Sequence, residues 1–240
     1  MSALSAVLEE STDVSRLDSP VCPHHEALVR ALSPRDTIIS FNYDCVIDHA
    51  LRTTAVGEWS AKYGYTFDRP SRVEGHENWS ADDPPTHNET VHLLKLHGSL
   101  HWQLPERDTS DDPRPIKLKQ KLYQQRGTPR FTIIPPENVK RIDENRNIRR
   151  LWTHAERAIR TADTVALVGF SFTPTDLHVD SLFRFALADA SLKRLVIANP
   201  SPEHRRKIRA IFSNQLRQGA IVRQYDTLED LAGALPDAFT

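Results

Sequence analysis

Three side chains in the first half of the sequence have types that suit chemistry on a sugar. Asn42 and Asp44 follow the apolar stretch "TIIS", and His97 follows "LLKL" within "LLKLHGSLHW". Imidazole is the side chain best suited to general-base catalysis near neutral pH, and carboxylate and amide groups bind ribose hydroxyls. These residues would suit a site that deprotonates a ribose hydroxyl or a water molecule.

Two stretches in the second half end in a comparable way. Gly169 and Ser171 follow "VALV", and Asn199 follows "LVIA". Hydroxyl and amide groups bind ribose, while free backbone N–H groups at helix starts bind phosphate. The four stretches together therefore suit a ribonucleotide site.

Each of these residues also has a purely structural interpretation. Asn42 and Asp44 could cap the helix that continues as "CVIDHAL", because their side chains accept hydrogen bonds from free N–H groups. Asp176 and Ser201 are placed to cap the two helices of the second half in the same way. A single histidine such as His97 at a strand end is most often a packing residue. For each residue taken alone, both interpretations stay open.

The elements around these residues alternate between strand and helix. Buried strands are predicted near residues 37, 92, 131, 164, 194 and 220. Helical spacing of apolar residues predicts one face formed by Ile148, Leu151, Trp152, Ala155, Ile159 and Ala162, and another formed by Val179, Leu182, Phe183, Ala186 and Leu187. This alternation predicts an α/β fold with a doubly wound, mostly parallel, Rossmann-like sheet. Ligands of such sheets bind at the carboxyl ends of the strands.

Length and composition limit the organisation of the chain. With 240 residues, we expect a single α/β domain over residues 1–240. Residues 1–23 are weakly patterned and predict a loosely ordered start. The segments 54–90 and 103–130 are rich in Pro, Gly, Asp, Asn and His, which predicts insertions or long loops.

Charge and cysteine content argue against several classes of protein. Lys and Arg number 31 against 32 Asp and Glu, so no overall field favours nucleic acid or an anionic membrane. Neither a basic leader nor an apolar run of membrane-spanning length is present, which predicts a cytoplasmic protein. Cys22 and Cys45 are the only cysteines, too few for a cysteine zinc site, so no metal is expected.

Four short motifs occur in a characteristic order: "SFNYD", "KLHGSL", "LVGFSF" and "VIANP". Over about residues 35–205, they resemble the sirtuin-like domains, particularly the zinc-less bacterial branch. The resemblance implies a sirtuin-like α/β fold with NAD as substrate and without zinc.

The resemblance also implies roles for individual residues. Asn42 and Asp44 correspond to the family residues that meet the nicotinamide ribose and carboxamide, and His97 corresponds to the catalytic base. Gly169 and Ser171 match the phosphate-side stretch. Asn199 matches the polar residue that meets the adenosine ribose.

The implied activity is NAD hydrolysis, in which the nicotinamide–ribose bond is cleaved to give nicotinamide and ADP-ribose, in the setting of bacterial antiphage defence. An alternative is a non-catalytic module that binds NAD or ADP-ribose or acts through protein contacts. Protein deacylation is the third choice, because deacetylating relatives use a zinc-bearing lobe to frame the acyl-lysine cleft.

The sequence departs from the family pattern at its start. Sirtuin-like folds normally open with a strand and a Gly-Ala-Gly loop that receives the phosphates, yet no glycine precedes the strand "TIISF". A shortened form, a start codon assigned too far downstream and a degenerate member are equally compatible with this pattern. We expect an unpaired sheet edge beside "TIISF", covered by a second copy or a partner chain, and weak NAD affinity.

Overall fold

A computed structural model of the chain describes residues 20–34, 36–55, 58–69, 71–73, 86, 89–103, 116–118, 131–134, 146–173 and 176–240. The helices within these residues are α1 (Pro23–Arg30), α2 (Val46–Thr54), α3 (Arg146–Thr161), α4 (Leu177–Ala188), α5 (Pro202–Ile211), α6 (Ser213–Arg217) and α7 (Leu228–Gly233). The strands are β1 (Thr37–Ser40), β2 (Arg72–Val73), β3 (His92–Lys95), β4 (Gly98–Gln103), β5 (Lys117–Leu118), β6 (Phe131–Ile133), β7 (Thr164–Val168), β8 (Arg194–Ala198) and β9 (Ile221–Tyr225).

The chain divides into two compact units. The first comprises Met1–Pro135 with Arg141–Leu151, and the second comprises Pro136–Lys140 with Trp152–Thr240. The predicted mixed α/β class with parallel sheets is confirmed, because parallel strand pairs occur in both units. The prediction of a single domain over residues 1–240 stays a prediction.

In the first unit, β1 and β3 are parallel neighbours. Their register pairs Thr37 with His92 at one end and Ser40 with Lys95 at the other. Parallel strands carry their carboxyl ends at the same edge of a sheet. The segments that follow Ser40 and Lys95 therefore begin side by side.

The second sheet of the first unit corrects one prediction. Its strand order is β2-β5-β4-β6, and β4 pairs antiparallel with both β5 and β6. The strand predicted near residue 131 is β6, so its expected place in a parallel sheet is wrong. The cause is β4, which the sequence interpretation missed. It begins at Gly98, whose φ of 83° is favourable for glycine and allows the chain to turn after β3.

The second unit has the predicted repeated β-α-β arrangement. Its three strands β7, β8 and β9 are parallel, and the register pairs Val168 with Ala198 and Ala198 with Tyr225. The central strand β8 is buried from Leu195 to Ala198. β7 was expected to be buried throughout, but of its residues only Leu167 is buried, because β7 lies at the edge of the strand order.

The predicted helix faces and helix starts are largely confirmed. As expected, Asp176 and Ser201 accept hydrogen bonds from the N–H groups of Val179 and His204. In addition, Thr227 forms a capping box with Asp230 at the start of α7. The predicted inward residues of α3 and α4 that are buried are Ile148, Leu151, Trp152, Ala155, Ile159, Val179, Leu182, Phe183, Ala186 and Leu187. The exception is Ala162, which is half-buried.

Strands β2 and β5 lie within the segments 54–90 and 103–130 that were predicted to be loop-rich. Most of the predicted loose start, residues 1–19, lies outside the described residues, as do 104–115 and 119–130. In the part of the chain that the structure describes, no helix has the length and apolar character needed to cross a bilayer.

An aromatic cluster forms part of the core of the first unit. The Tyr65 ring contacts Trp59, Phe67 and Trp102, with ring centroids 5.1–5.6 Å apart. Tyr65 is fully buried, and its neighbour Gly64 lies directly against the Trp59 indole. The cluster fixes the position of the Tyr65 hydroxyl, which takes part in the polar site described below.

The tight packing at Gly64 gives a first prediction. In Gly64→Ala, the new Cβ would overlap with Trp59 Nε1 and lie 2.9 Å from the Ser60 carbonyl oxygen. We expect the free energy of unfolding to fall by about 1–3 kcal/mol, because the buried indole or the backbone must move. Urea unfolding followed by tryptophan fluorescence measures this. The control is Gly233→Ala, whose Cβ would meet nothing within 4 Å; an equal loss there would contradict the packing explanation.

Candidate functional site

The loop after β1 packs beside His97. The ring of His97 lies 5.3 Å from that of Phe41 in an edge-to-face contact and 6.2 Å from that of Tyr43, measured between centroids. The Tyr43 hydroxyl donates to the Ile134 carbonyl at 2.8 Å, and the Leu100 N–H donates to the Tyr43 carbonyl at 3.0 Å. The structure therefore brings the loop that carries Asn42 and Asp44 next to His97.

The three predicted catalytic residues differ in their surroundings. His97 is 7% exposed, whereas the Asn42 side chain is exposed to solvent. Asp44 Oδ1 accepts a hydrogen bond from the Val46 N–H at 3.0 Å, at the start of α2. The capping interpretation therefore holds for one oxygen of Asp44. The catalytic roles of all three residues stay predictions.

In the second unit, Gly169 and Asn199 directly follow the paired ends of β7 and β8. The Gly169 N–H donates to the Ala198 carbonyl at 2.8 Å. Gly169 has φ +65°, and a Cβ placed there would meet no atom of the described residues within 4 Å. This backbone conformation favours glycine, and the open space leaves room for a ligand to approach the main chain.

Asn199 is buried and links two loops. Its Nδ2 donates to the Phe170 carbonyl at 3.0 Å, and its Oδ1 accepts from the Ser201 N–H at 2.9 Å. Ser171 lies half-buried in the first of these loops. The structure thus gathers Gly169, Ser171 and Asn199 at one edge of the β7-β8-β9 sheet. The predicted binding of a dinucleotide by these residues is not tested by this arrangement.

Sequence reasoning missed a buried polar network in the first unit, which we call the Asp48 network. Its members are linked by side-chain hydrogen bonds, and all except Cys45 are at most 3% exposed as whole residues. They are Asp48, Lys95, Tyr65, His101, Ser99 and Cys45. The network is continuous with the loop that carries Asn42 and Asp44, because Cys45 belongs to both.

The centre of the network is an ion pair. Lys95 Nζ lies 2.8 Å from Asp48 Oδ2, and both side chains are 0% exposed. The Lys95 ammonium also donates to the Asp44 carbonyl. Burial is the largest single effect and opposes both charges, but the attraction between them, together with neighbouring charges and hydrogen bonds, outweighs it: the pKa of Asp48 is lowered, and the pKa of Lys95 is raised.

The other members of the network are connected to Asp48 by one chain of hydrogen bonds. The Tyr65 hydroxyl donates to Asp48 Oδ1 at 2.5 Å and therefore accepts from His101 Nε2, 3.0 Å away. His101 Nδ1 then has no proton and acts as an acceptor, with the Cys45 thiol at 2.9 Å. Ser99 Oγ lies 3.0 Å from the same nitrogen, and its single proton can go either to this nitrogen or to the Tyr43 carbonyl. The proton positions on Tyr65 and His101 are thus determined by the ionised carboxylate of Asp48.

The pKa values agree with this proton arrangement. Burial lowers the pKa of His101 from 6.5 to about 4, despite the opposing effect of Asp48. Burial also raises the pKa of the Cys45 thiol to about 12, with a further contribution from Asp48. The imidazole is therefore neutral and the thiol protonated at pH 7, so Cys45 is not an activated nucleophile.

The strand β4 carried a signal that would have revealed part of the network. Polar Ser99 and His101 alternate with apolar Leu100 and Trp102, which is the period of a strand with two different faces. A lysine at the end of the buried stretch "HLLK" is a second signal, because a buried ammonium requires an anion.

One further histidine lies near the predicted catalytic loop. His25 of α1 is half-buried, and its Nδ1 is enclosed without a hydrogen-bond partner among the described residues. Burial lowers the pKa of His25, although the negative charge of Asp44 acts in the opposite direction.

The fold thus defined is an α/β fold of the Rossmann-like class, and its polar residues follow the carboxyl ends of parallel strands. Comparison with protein families gives a SIR2-like domain over residues 36–218. The chain belongs to this family. No curated protein matches the chain significantly.

The buried neutral His101 gives a prediction on pH dependence. Because its pKa is lower in the folded state than in the unfolded one, the unfolded state binds more protons between pH 6.5 and about 4. The free energy of unfolding should therefore fall as the pH is lowered through this range, by up to about 1.4 kcal/mol per pH unit from this group. Urea titrations at several pH values measure the slope.

The comparison for this prediction is His101→Gln, which has no titrating group at this position. We expect His101→Gln to have a lower free energy of unfolding than wild type at pH 7. Its free energy of unfolding should fall less steeply as the pH is lowered, and the difference in slope should correspond to nearly one proton. An unchanged slope in His101→Gln would mean that other groups, such as His25, cause the pH dependence.

Proposed function

We propose that this protein hydrolyses NAD to nicotinamide and ADP-ribose. Membership of the SIR2-like domain family indicates NAD-related activity at the family level. The observation that supports hydrolysis most directly is the packing of the Asn42–Asp44 loop beside His97 at the carboxyl edge of β1 and β3. This arrangement brings an amide, a carboxylate and an imidazole to one edge of the sheet.

The chemistry requires few groups. The bond between the ribose carbon and the nicotinamide nitrogen breaks, and its electron pair neutralises the charge of the pyridinium ring. Water then forms a bond to the ribose carbon and loses a proton. In the proposed site, His97 accepts the proton from water or a ribose hydroxyl, while Asn42 and Asp44 orient the nicotinamide half of the substrate.

The second unit, taken by itself, has residues that would suit the phosphate and ribose groups of NAD. At Gly169 the main chain is open to close approach, which suits a phosphate group. Ser171 and Asn199 supply hydroxyl and amide groups at the same edge of the sheet. The similarity of the motifs to the zinc-less bacterial branch supports antiphage defence as the biological setting.

A substitution at His97 tests the proposed reaction. His97→Ala should reduce nicotinamide release by about 10²- to 10⁴-fold, because a general base contributes rate factors of this size. The matched control is His92→Ala, which changes the first residue of the same strand β3 and leaves its carboxyl end intact. Nicotinamide is quantified by chromatography, and circular dichroism verifies folding.

Each outcome of this assay has a definite meaning. Nicotinamide release that depends on His97 and not on His92 supports the hydrolase. A folded wild-type chain that binds NAD or ADP-ribose in calorimetry without turnover would instead be the non-catalytic module. A folded His97→Ala variant with full activity would exclude His97 as the base.

The open backbone at Gly169 gives a separate prediction on substrate binding. Gly169→Ala and Gly219→Ala are a matched pair, because both glycines have positive φ and both sites are open, with nothing within 4 Å of a Cβ. Each should lose about 1–2 kcal/mol of stability. Only Gly169→Ala should raise the KM for NAD, by about tenfold, which corresponds to about 1.4 kcal/mol. Equal KM values for the two variants would contradict phosphate binding at Gly169.

A further inference from the structure

We propose that Lys95 is a positioning residue for the reaction, one that holds the loop bearing Asn42 and Asp44 at a fixed place beside His97. The proposal rests on the proposed function for its catalytic consequence. It concerns a residue that does not itself touch the substrate. In physical terms, the buried ammonium of Lys95 links the loop that carries Asn42 and Asp44 to the segment that carries His97.

The first argument is the position of Lys95 in the fold. It is the last residue of β3, it pairs with Ser40 at the end of β1, and the chain continues from it to His97. Its side chain donates to the Asp44 carbonyl. One residue is therefore joined through its backbone to His97 and through its side chain to the Asp44 main chain.

The second argument is the cost of burying the charge. An ammonium removed from water destabilises the fold unless its partners are well placed, and an apolar residue is often at least as stable in such a position. Lys95 is fully buried, with the Asp48 carboxylate at 2.8 Å as its counter-ion. Because Asp48 compensates the charge, the bond to the Asp44 carbonyl is the one that specifically places the loop.

The third argument is that the rest of the network contacts the same loop. Ser99 Oγ lies within hydrogen-bond distance of the Tyr43 carbonyl, at 3.4 Å, and Cys45 Sγ lies 2.9 Å from His101 Nδ1. With the Lys95 bond to Asp44, three consecutive residues of the loop are tied to groups on β3 and β4. This convergence is what preorganisation of a catalytic loop requires.

The test removes the Lys95 ammonium together with its counter-ion, so that no unpaired charge is left in the core. Lys95→Met alone leaves a buried unpaired carboxylate and is expected to fold poorly. Lys95→Met/Asp48→Asn removes both charges, and an amide at position 48 can still accept from the Tyr65 hydroxyl. A double variant with the same changes at an exposed ion pair, Lys193→Met/Asp163→Asn, is the matched control.

The expected result separates positioning from stability. Compared with Lys95→Met, the double variant at positions 95 and 48 should recover most of the lost stability in urea unfolding. Its kcat for nicotinamide release should nevertheless stay about tenfold below wild type, with KM changed by less than about threefold. The control pair should match wild type in both constants. Recovery of kcat together with stability would overturn the proposal.

A second measurement does not depend on activity. Hydrogen–deuterium exchange of peptides that cover the loop after β1 should be faster in the double variant than in wild type, while peptides from β7 to β9 are unchanged. Unchanged exchange in the loop would overturn the positioning role. A wild-type chain that releases no nicotinamide would refute the proposed function alone, because the exchange result would still decide whether Lys95 holds the loop.

Discussion

The first unit depends on one buried carboxylate. Asp48 is fully enclosed, accepts from Lys95 on one oxygen and from Tyr65 on the other, and remains ionised because the ammonium and these hydrogen bonds together outweigh the cost of burial. If Asp48 were neutral, the Lys95 charge would be unpaired and the direction of the hydrogen bonds through His101 would no longer be determined. The packing of α2 against β3 and β4 therefore also depends on the charge of Asp48.

The second unit could be predicted from sequence almost entirely. Its strands and helices have unambiguous apolar periods, and its helix starts at Asp176, Ser201 and Thr227 carry the capping residues that their positions require. Local sequence and tertiary structure agree there. The burial of β7 was overestimated because an apolar run does not distinguish a central strand from an edge strand.

The first unit resisted prediction for a physical reason. Its strand β4 contains Gly98 and several polar residues, and among the described residues these are linked to partners distant in sequence, such as Tyr65 and Cys45. No local pattern encodes such pairings. The candidate site residues were found because they follow strands directly, whereas Lys95 and His101 lie within strands.

The residues that follow the strands can be interpreted either as packing residues or as catalytic and binding residues. For these residues the two roles do not exclude each other. Asp44 caps α2 with one oxygen, and Asn199 uses both ends of its amide to join two loops. Such bonds restrict the rotamers of the side chains and the course of the backbone, which a catalytic or binding group requires before a substrate arrives. His97 follows the same logic, since the rings of Phe41 and Tyr43 restrict its orientation. A structural contact at these positions is therefore evidence of preorganisation, and it argues for a site as much as for a core.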